Sequence, residues 1–250
     1  MLDVNVCRVK CGDKEITIRI QRPSFKSVEK GYREINALPQ EQENEAKDLI
    51  YSLLITQNYT QLESLQIADY YKQVAARYVK IGGGAYNQFI NDMDKYYNTC
   101  ALRVSYALNY STHPINTMDR QVMGRGYQGD DKQTYYLGVF DIIELLKLNW
   151  KELTWKQPTY TQVKEKIKCG CSEDFYHNMT SKDENQQFFK ELQSIQRKGI
   201  VAMIGTSGLR HTTLWNGNDF VDVDFGYYNF LKETNYIVKD LYFWDLIEGE

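Results

Sequence analysis

The chain is poor in the residues that mark special environments. Its 250 residues include three histidines, four prolines and five cysteines. No stretch approaches the roughly 20 consecutive apolar residues of a membrane-spanning helix, so no membrane span is expected. The opening segment, MLDVNVCRVK, lacks the apolar core of a cleaved secretory leader, so any export is expected to use a route without one. Charge of either sign is not in excess: 30 basic and 33 acidic residues leave a net charge of -3, and the basic residues are scattered rather than striped. That balance gives no ground for a nucleic-acid partner. There is no Pro/Ser-rich linker and no internal repeat, so residues 1–250 read as a single domain. The chain also lacks a serine in a nucleophile-elbow motif and any H-E-x-x-H, which leaves serine and zinc hydrolases without support. At 42% hydrophobic and 25% charged, the composition is that of an ordinary globular protein.

An odd number of cysteines leaves at least one free thiol. Cys7 with Cys11, and Cys169 with Cys171, are open to three readings: disulfides within or between the pairs, four metal ligands, or reduced and inert thiols. The C-x3-C spacing of the first pair suits zinc and the C-x-C spacing of the second does not, so no metal is expected. Cys100 is the thiol with a suggestive setting. In NTCALRVSYALNYS, residues 98–111, Thr99 can cap a helix with its hydroxyl, and Ala101, Val104, Ser105 and Leu108 form one apolar or small stripe. Cys100 is then the first helical residue, where free backbone N–H groups and the helix dipole favour its thiolate. A buried, inert cysteine is the bland alternative.

A second stretch changes the balance. HTTLWNGNDFVDVDF, residues 211–225, reads as two strands about an Asn216-Gly217 turn, the Phe220–Phe225 strand alternating apolar with acidic. In that register His211 lies opposite Asp222, with Asp224 on the same face two residues on. A carboxylate there would fix the histidine tautomer, completing a nucleophile, base and orienter set in the order Cys, His, Asp. His113, in a loop beside Pro114, is a rival base with a less rigid setting, and His177 has no obvious partner. Trp215, on the His211 face, is a candidate substrate contact.

Elsewhere, residues 4–10 and 15–20 form an N-terminal hairpin at about 4–20, and Ser27 and Glu29 precede a short helix ending before Pro39. Residues from about 41 to 80 form two helices, the second opened by a Thr60/Glu63 capping box. The glycines of Ile81-Gly-Gly-Gly84 allow close approach to the Cys100 helix or to substrate, which makes Gly83 and Gly84 candidate substrate contacts. Gly124-x-Gly126-x-x-Gly129 matches a dinucleotide fingerprint, but no apolar strand precedes it and no helix follows, so it reads as a surface loop. Val139–Leu148 is an apolar helix, Ser181 and Glu184 open another that Gly199 closes, and strands follow at Ile200–Ile204, Thr212–Trp215 and Tyr236–Leu246.

NTCALRVSYALNYS and RHTTLWNG, with IGGG, RPSF at Arg22–Phe25, YLGVFDIIELL at Tyr136–Leu146, KGIVAMIG at Lys198–Gly205 and FWDL near the end, resemble the fourth family of type VI secretion amidase effectors. The resemblance implies an α+β fold of the papain-like cysteine amidase kind, with the nucleophile at a helix N-terminus packed on an antiparallel sheet. It implies Cys100 as nucleophile, His211 as base, Asp222 as orienting carboxylate and Asp224 as a second acidic partner, with no metal and no cofactor. The implied substrate is the peptidoglycan stem peptide, cut between γ-D-glutamate and meso-diaminopimelate. The implied partners are a cognate immunity protein and the type VI secretion apparatus, with action in the periplasm of a target bacterium. A cysteine hydrolase or transglutaminase-like toxin acting on protein is the other class with this triad. The chain departs from the family in the helical insertion at about 41–80, expected to pack on the outside. It departs from papain-like proteases in having Asp94 and Lys95 where a glutamine precedes the cysteine. The Cys100 backbone N–H is the expected first oxyanion donor.

Overall fold

The computed structural model describes residues 4–11, 14–122, 124–150, 178–232 and 235–246. The chain begins with an antiparallel hairpin, β1 (Val4–Cys11) and β2 (Lys14–Gln21), in which Val4 faces Gln21 and Cys11 faces Lys14. Cys7 and Cys11 both fall on β1. Cys169, Cys171 and His177 lie outside the described residues.

Helix α1 (Phe25–Asn36) starts earlier than Ser27 and Glu29 suggest, because Ser24 caps it by accepting the Ser27 N–H. Helix α2 (Gln40–Thr56) follows Pro39, and α3 (Gln61–Ile81) carries the predicted capping box, Thr60 and Glu63 serving each other's backbone N–H. Helix α4 (Gly83–Asn91) leads to α5 (Cys100–Asn109). A short hairpin of β3 (Gly126–Gln128) and β4 (Thr134–Tyr136) occupies the stretch read as loop, and α6 (Val139–Asn149) follows. Gly126 opens β3 and Gly129 turns towards β4, which is not the strand-to-helix setting of a dinucleotide site.

Helix α7 (Lys182–Ser194) is capped by Ser181 but is not closed by Gly199. Gln196 takes the left-handed conformation, and Gly199 opens strand β5 (Gly199–Gly205), where a Cβ would lie 2.2 Å from the Trp244 carbonyl oxygen. Strand β5 is the centre of a three-stranded antiparallel sheet flanked by β6 (Arg210–Trp215) and β7 (Val238–Asp245).

Alternation along β5 splits two cores. Ile200 and Ala202 face one way, onto Val104, Leu108 and the α6 residues Ile142 and Leu146, while Val201 and Met203 face the other, onto Phe188 and Leu192 of α7. Helix α5 is therefore sandwiched, with the sheet on one side and α1 on the other. Gly31 makes the α1 approach possible, since a Cβ there would sit 3.1 Å from Ala107 Cα. A third core, built on α2, α3 and α4, packs on the outer side of α5 through Leu102 and Tyr106. All ten residues of α5 are buried as a result. Among the described residues no helix is long and apolar enough to cross a membrane.

Candidate active site

Burial of the whole of α5 forces its polar residues to find partners inside the protein. Cys100, 1% exposed, opens the helix. Thr99 does not cap it as predicted, because its hydroxyl oxygen accepts from Arg77 Nη1 at 3.0 Å. Asn98 takes over, its Oδ1 accepting the Cys100 N–H at 3.1 Å.

His211, on β6, is hydrogen-bonded to Cys100, and its Nε2 lies 2.6 Å from Asp222 Oδ2. Nδ1 is thereby the nitrogen left for the thiol. The expected partner of His211 is present, but not by the predicted register. Residues 221–225 are a 3-10 turn and no strand. Asn216 Oδ1 accepts from the N–H groups of Asn218 and Asp219, Gly217 takes a positive φ, and the chain makes a single bridge, Trp215 to Phe220, before coiling inward. The coil carries Asp222 under the imidazole.

Asp222 is fully buried and spends its other oxygen on two donors: Arg103 Nη1 at 2.8 Å and the Tyr32 hydroxyl at 2.7 Å. Arg103 stands three residues after Cys100, hence on the same helix face, with its guanidinium over the Tyr227 ring at 4.6 Å and Nη1 also donating to Asn36. Burial alone would raise the Asp222 carboxyl, but the Arg103 charge and the bonds from His211 and Tyr32 hold it well below the usual carboxylate range. Burial likewise would lower His211, yet its hydrogen bonds to Asp222 and Cys100, with their charges, push it up to about 9. The Cys100 thiol is raised by burial and lowered by its bond to His211 and the charges of His211 and Arg103, with a net shift downward. The two shifts act in the same sense, each favouring transfer of the thiol proton to the imidazole.

The site opens on a cleft of about 420 Å³ whose walls include His211, Arg103, Asn98, Tyr227 and Phe230, together with Tyr70, Lys72 and Arg77 from α3. Helix α3 therefore does not merely decorate the outside.

The remaining candidates fall away from the thiol. Asp224, half exposed, pairs with Arg33 at 2.8 Å, because a 3-10 turn points it away from Asp222. Trp215 is fully buried in the core beneath α7, packed edge-on against Phe189 and Phe220, so it cannot touch substrate. Gly83 and Gly84 are close to a backbone, but to that of Gln128 and Gly129 rather than to α5. His113, buried, has Thr117 for its neighbour. Sequence reasoning missed Arg103, Tyr32 and Arg77. Arg103 had a signal, being the charged residue in the otherwise uncharged CALRVSYALN, whereas nothing local distinguishes Tyr32 or Arg77. Among the described residues no group of three or more His, Cys, Asp or Glu could hold a metal ion.

Residues 96–244 match the family described as type VI secretion system amidase effector protein 4. Among solved structures, the effector Tae4 in its complex with the immunity protein Tai4 from Salmonella Typhimurium is 18% identical, with a TM-score of 0.47 over 91% of this chain and 100% of that one. The Tae4 effector from Enterobacter cloacae is 17% identical, with a TM-score of 0.47 over 91% of this chain and 99% of that one. No curated protein matches.

Proposed function

The chain belongs to the type VI secretion system amidase effector protein 4 family, and on that premise we propose that it is a papain-like cysteine amidase cutting peptidoglycan between γ-D-glutamate and meso-diaminopimelate. The observation that carries this reading is the buried chain of hydrogen bonds from Cys100 through His211 to Asp222. The Cys100 thiolate attacks the amide carbonyl carbon, and the carbonyl electron pair moves to oxygen. Collapse of that adduct breaks the C–N bond, and the leaving amine takes the proton of the His211 imidazolium. Neutral His211 then removes a proton from water as it attacks the thioester, releasing the D-glutamyl product and restoring the thiolate–imidazolium pair. Asp222 holds the ring so that Nδ1 faces the sulfur, and stabilises the imidazolium.

The Cys100 N–H is the natural oxyanion donor, and Asn98 Oδ1, which accepts it in this structure, has to yield it to the developing charge. In this reading residues 1–250 are one amidase domain to which α2 and α3 are an addition. Delivery is by the type VI secretion apparatus into the periplasm of a target bacterium, with a cognate immunity protein protecting the producer by closing the cleft. The test is digestion of purified diaminopimelate-type peptidoglycan, with the fragments read by mass spectrometry. Fragments ending in D-glutamate, absent with Cys100→Ala, are expected. Intact peptidoglycan after treatment with folded, reduced protein would refute the substrate.

A further inference from the structure

Two buried arginines line the cleft, and their charges are handled differently. Arg103 is paired with Asp222. Arg77, 6% exposed, has no carboxylate partner among the described residues. Its guanidinium donates three hydrogen bonds, all to neutral oxygens: the Ile35 carbonyl at 3.3 Å, the Thr99 hydroxyl at 3.0 Å and the Tyr227 hydroxyl at 2.8 Å. A guanidinium has five N–H groups, so part of its fork is unspent. Lys72, the other cation on this wall, is engaged by Asp69, which also pairs with Lys47. An isolated buried cation is expensive unless something anionic joins it. Consistent with that expense, burial pushes the Arg77 guanidinium down, helped by the neighbouring charge of Arg103.

The position of Arg77 says what could join it. The Thr99 bond places the guanidinium one residue from the nucleophile-bearing Cys100, on the cleft wall. Three anchors, on α1, just before α5 and just after the 3-10 turn, fix its plane, so it is a preorganised receptor rather than a mobile surface cation. Arg77 lies outside the stretch that matches the family, on α3. Resting on the peptidoglycan reading above, we propose that Arg77 is a specificity-determining residue that binds the free α-carboxylate of the substrate's D-glutamyl residue, a few carbons from the scissile carbonyl. A planar fork suits a carboxylate, and a carboxamide at the same place offers one acceptor and an N–H₂ group turned against other donors. The enzyme therefore discriminates stems with free D-glutamate from stems in which that carboxyl is amidated to D-isoglutamine.

The experiment compares kcat/KM on two synthetic stem peptides, one with D-glutamate and one with D-isoglutamine, for the full chain and for Arg77→Met and Arg77→Lys. The unaltered protein should prefer the carboxylate by about tenfold or more, as for a charge-assisted bidentate pair. Arg77→Met should lose most of that preference by slowing the carboxylate substrate while leaving the carboxamide within about threefold. Arg77→Lys, which keeps the charge without the fork, should retain an intermediate preference. Equal cleavage of both peptides by the unaltered protein overturns the proposal whether or not a variant folds. A variant that slows both peptides equally also overturns it, since Arg77 would then be only a brace for α3. Failure of the unaltered protein to cut either peptide, with peptidoglycan also intact, would instead overturn the amidase reading and this proposal with it.

Discussion

Asp222 and Asp224 stand two residues apart in one turn, and each is held by an arginine at 2.8 Å. By distance the two ion pairs are equal; their settings are opposite. The Arg103–Asp222 pair is almost entirely enclosed, at 3% and 0% exposure, and is wired to His211 and Tyr32. The Arg33–Asp224 pair is about half exposed on both sides, and Arg33 also holds Glu29 four residues earlier on α1. Water screens the second pair and competes for its partners, whereas the first has nothing to fall back on if one member is lost. Two similar acidic residues thus end in different roles because the turn sends one inward and one outward.

The sharpest way to break the comparison is to neutralise the inner pair. Asp222→Asn leaves Arg103 buried without its counter-charge and His211 without its carboxylate, the amide offering one acceptor oxygen and an N–H₂ group turned against the other donors. It is expected to cost about 3–5 kcal/mol in denaturant unfolding and to lower kcat on peptidoglycan by at least about a hundredfold. Arg103→Met should cost a similar amount of stability. It should also lower activity less than Asp222→Asn, because the carboxylate keeps Tyr32 and His211 as donors.

A smaller effect is expected in the pH profile. Below its raised value of about 9, His211 is protonated and pairs with the thiolate; as pH rises through 9 that proton is lost and kcat/KM should fall. In any Asp222→Asn protein with residual activity, a main support of the raised value is gone, so this alkaline limb should move to lower pH. An unmoved limb would mean that Asp222 does not set the imidazolium. The smallest effect belongs to the outer pair. Asp224→Asn should change unfolding free energy by no more than about 0.5 kcal/mol, a shift that salt further erodes, and should leave kcat/KM unchanged. A large loss of activity there would restore Asp224 to the site.

Much of the local framework was legible because it rests on short-range chemistry. The Thr60/Glu63 box, the Ser181 cap, the apolar run of α6 and strands β5 and β6 follow from side chains within a few residues of one another. Reading Cys100 as the first residue of a helix was equally local. The cap was not: Thr99 had a competitor for its hydroxyl in Arg77, 22 residues away, and Asn98 was left to cap in its place. The His211–Asp222 contact was anticipated through a hairpin that does not form. The two residues meet because the chain coils after Phe220, which a period-two pattern cannot express.

The sequence by itself determined which groups could do chemistry: a thiol at a helix start, one histidine on a strand, and acidic residues after a turn. Tertiary structure decided which of them work together. It buried Asp222 while leaving Asp224 in solvent, hid Trp215 in the core, and set Arg103 behind the carboxylate and Arg77 beside the thiol-bearing helix. The reason is that burial and charge pairing depend on which distant elements pack together, here α1, α3, α5 and the sheet, and no local pattern of side chains encodes that packing.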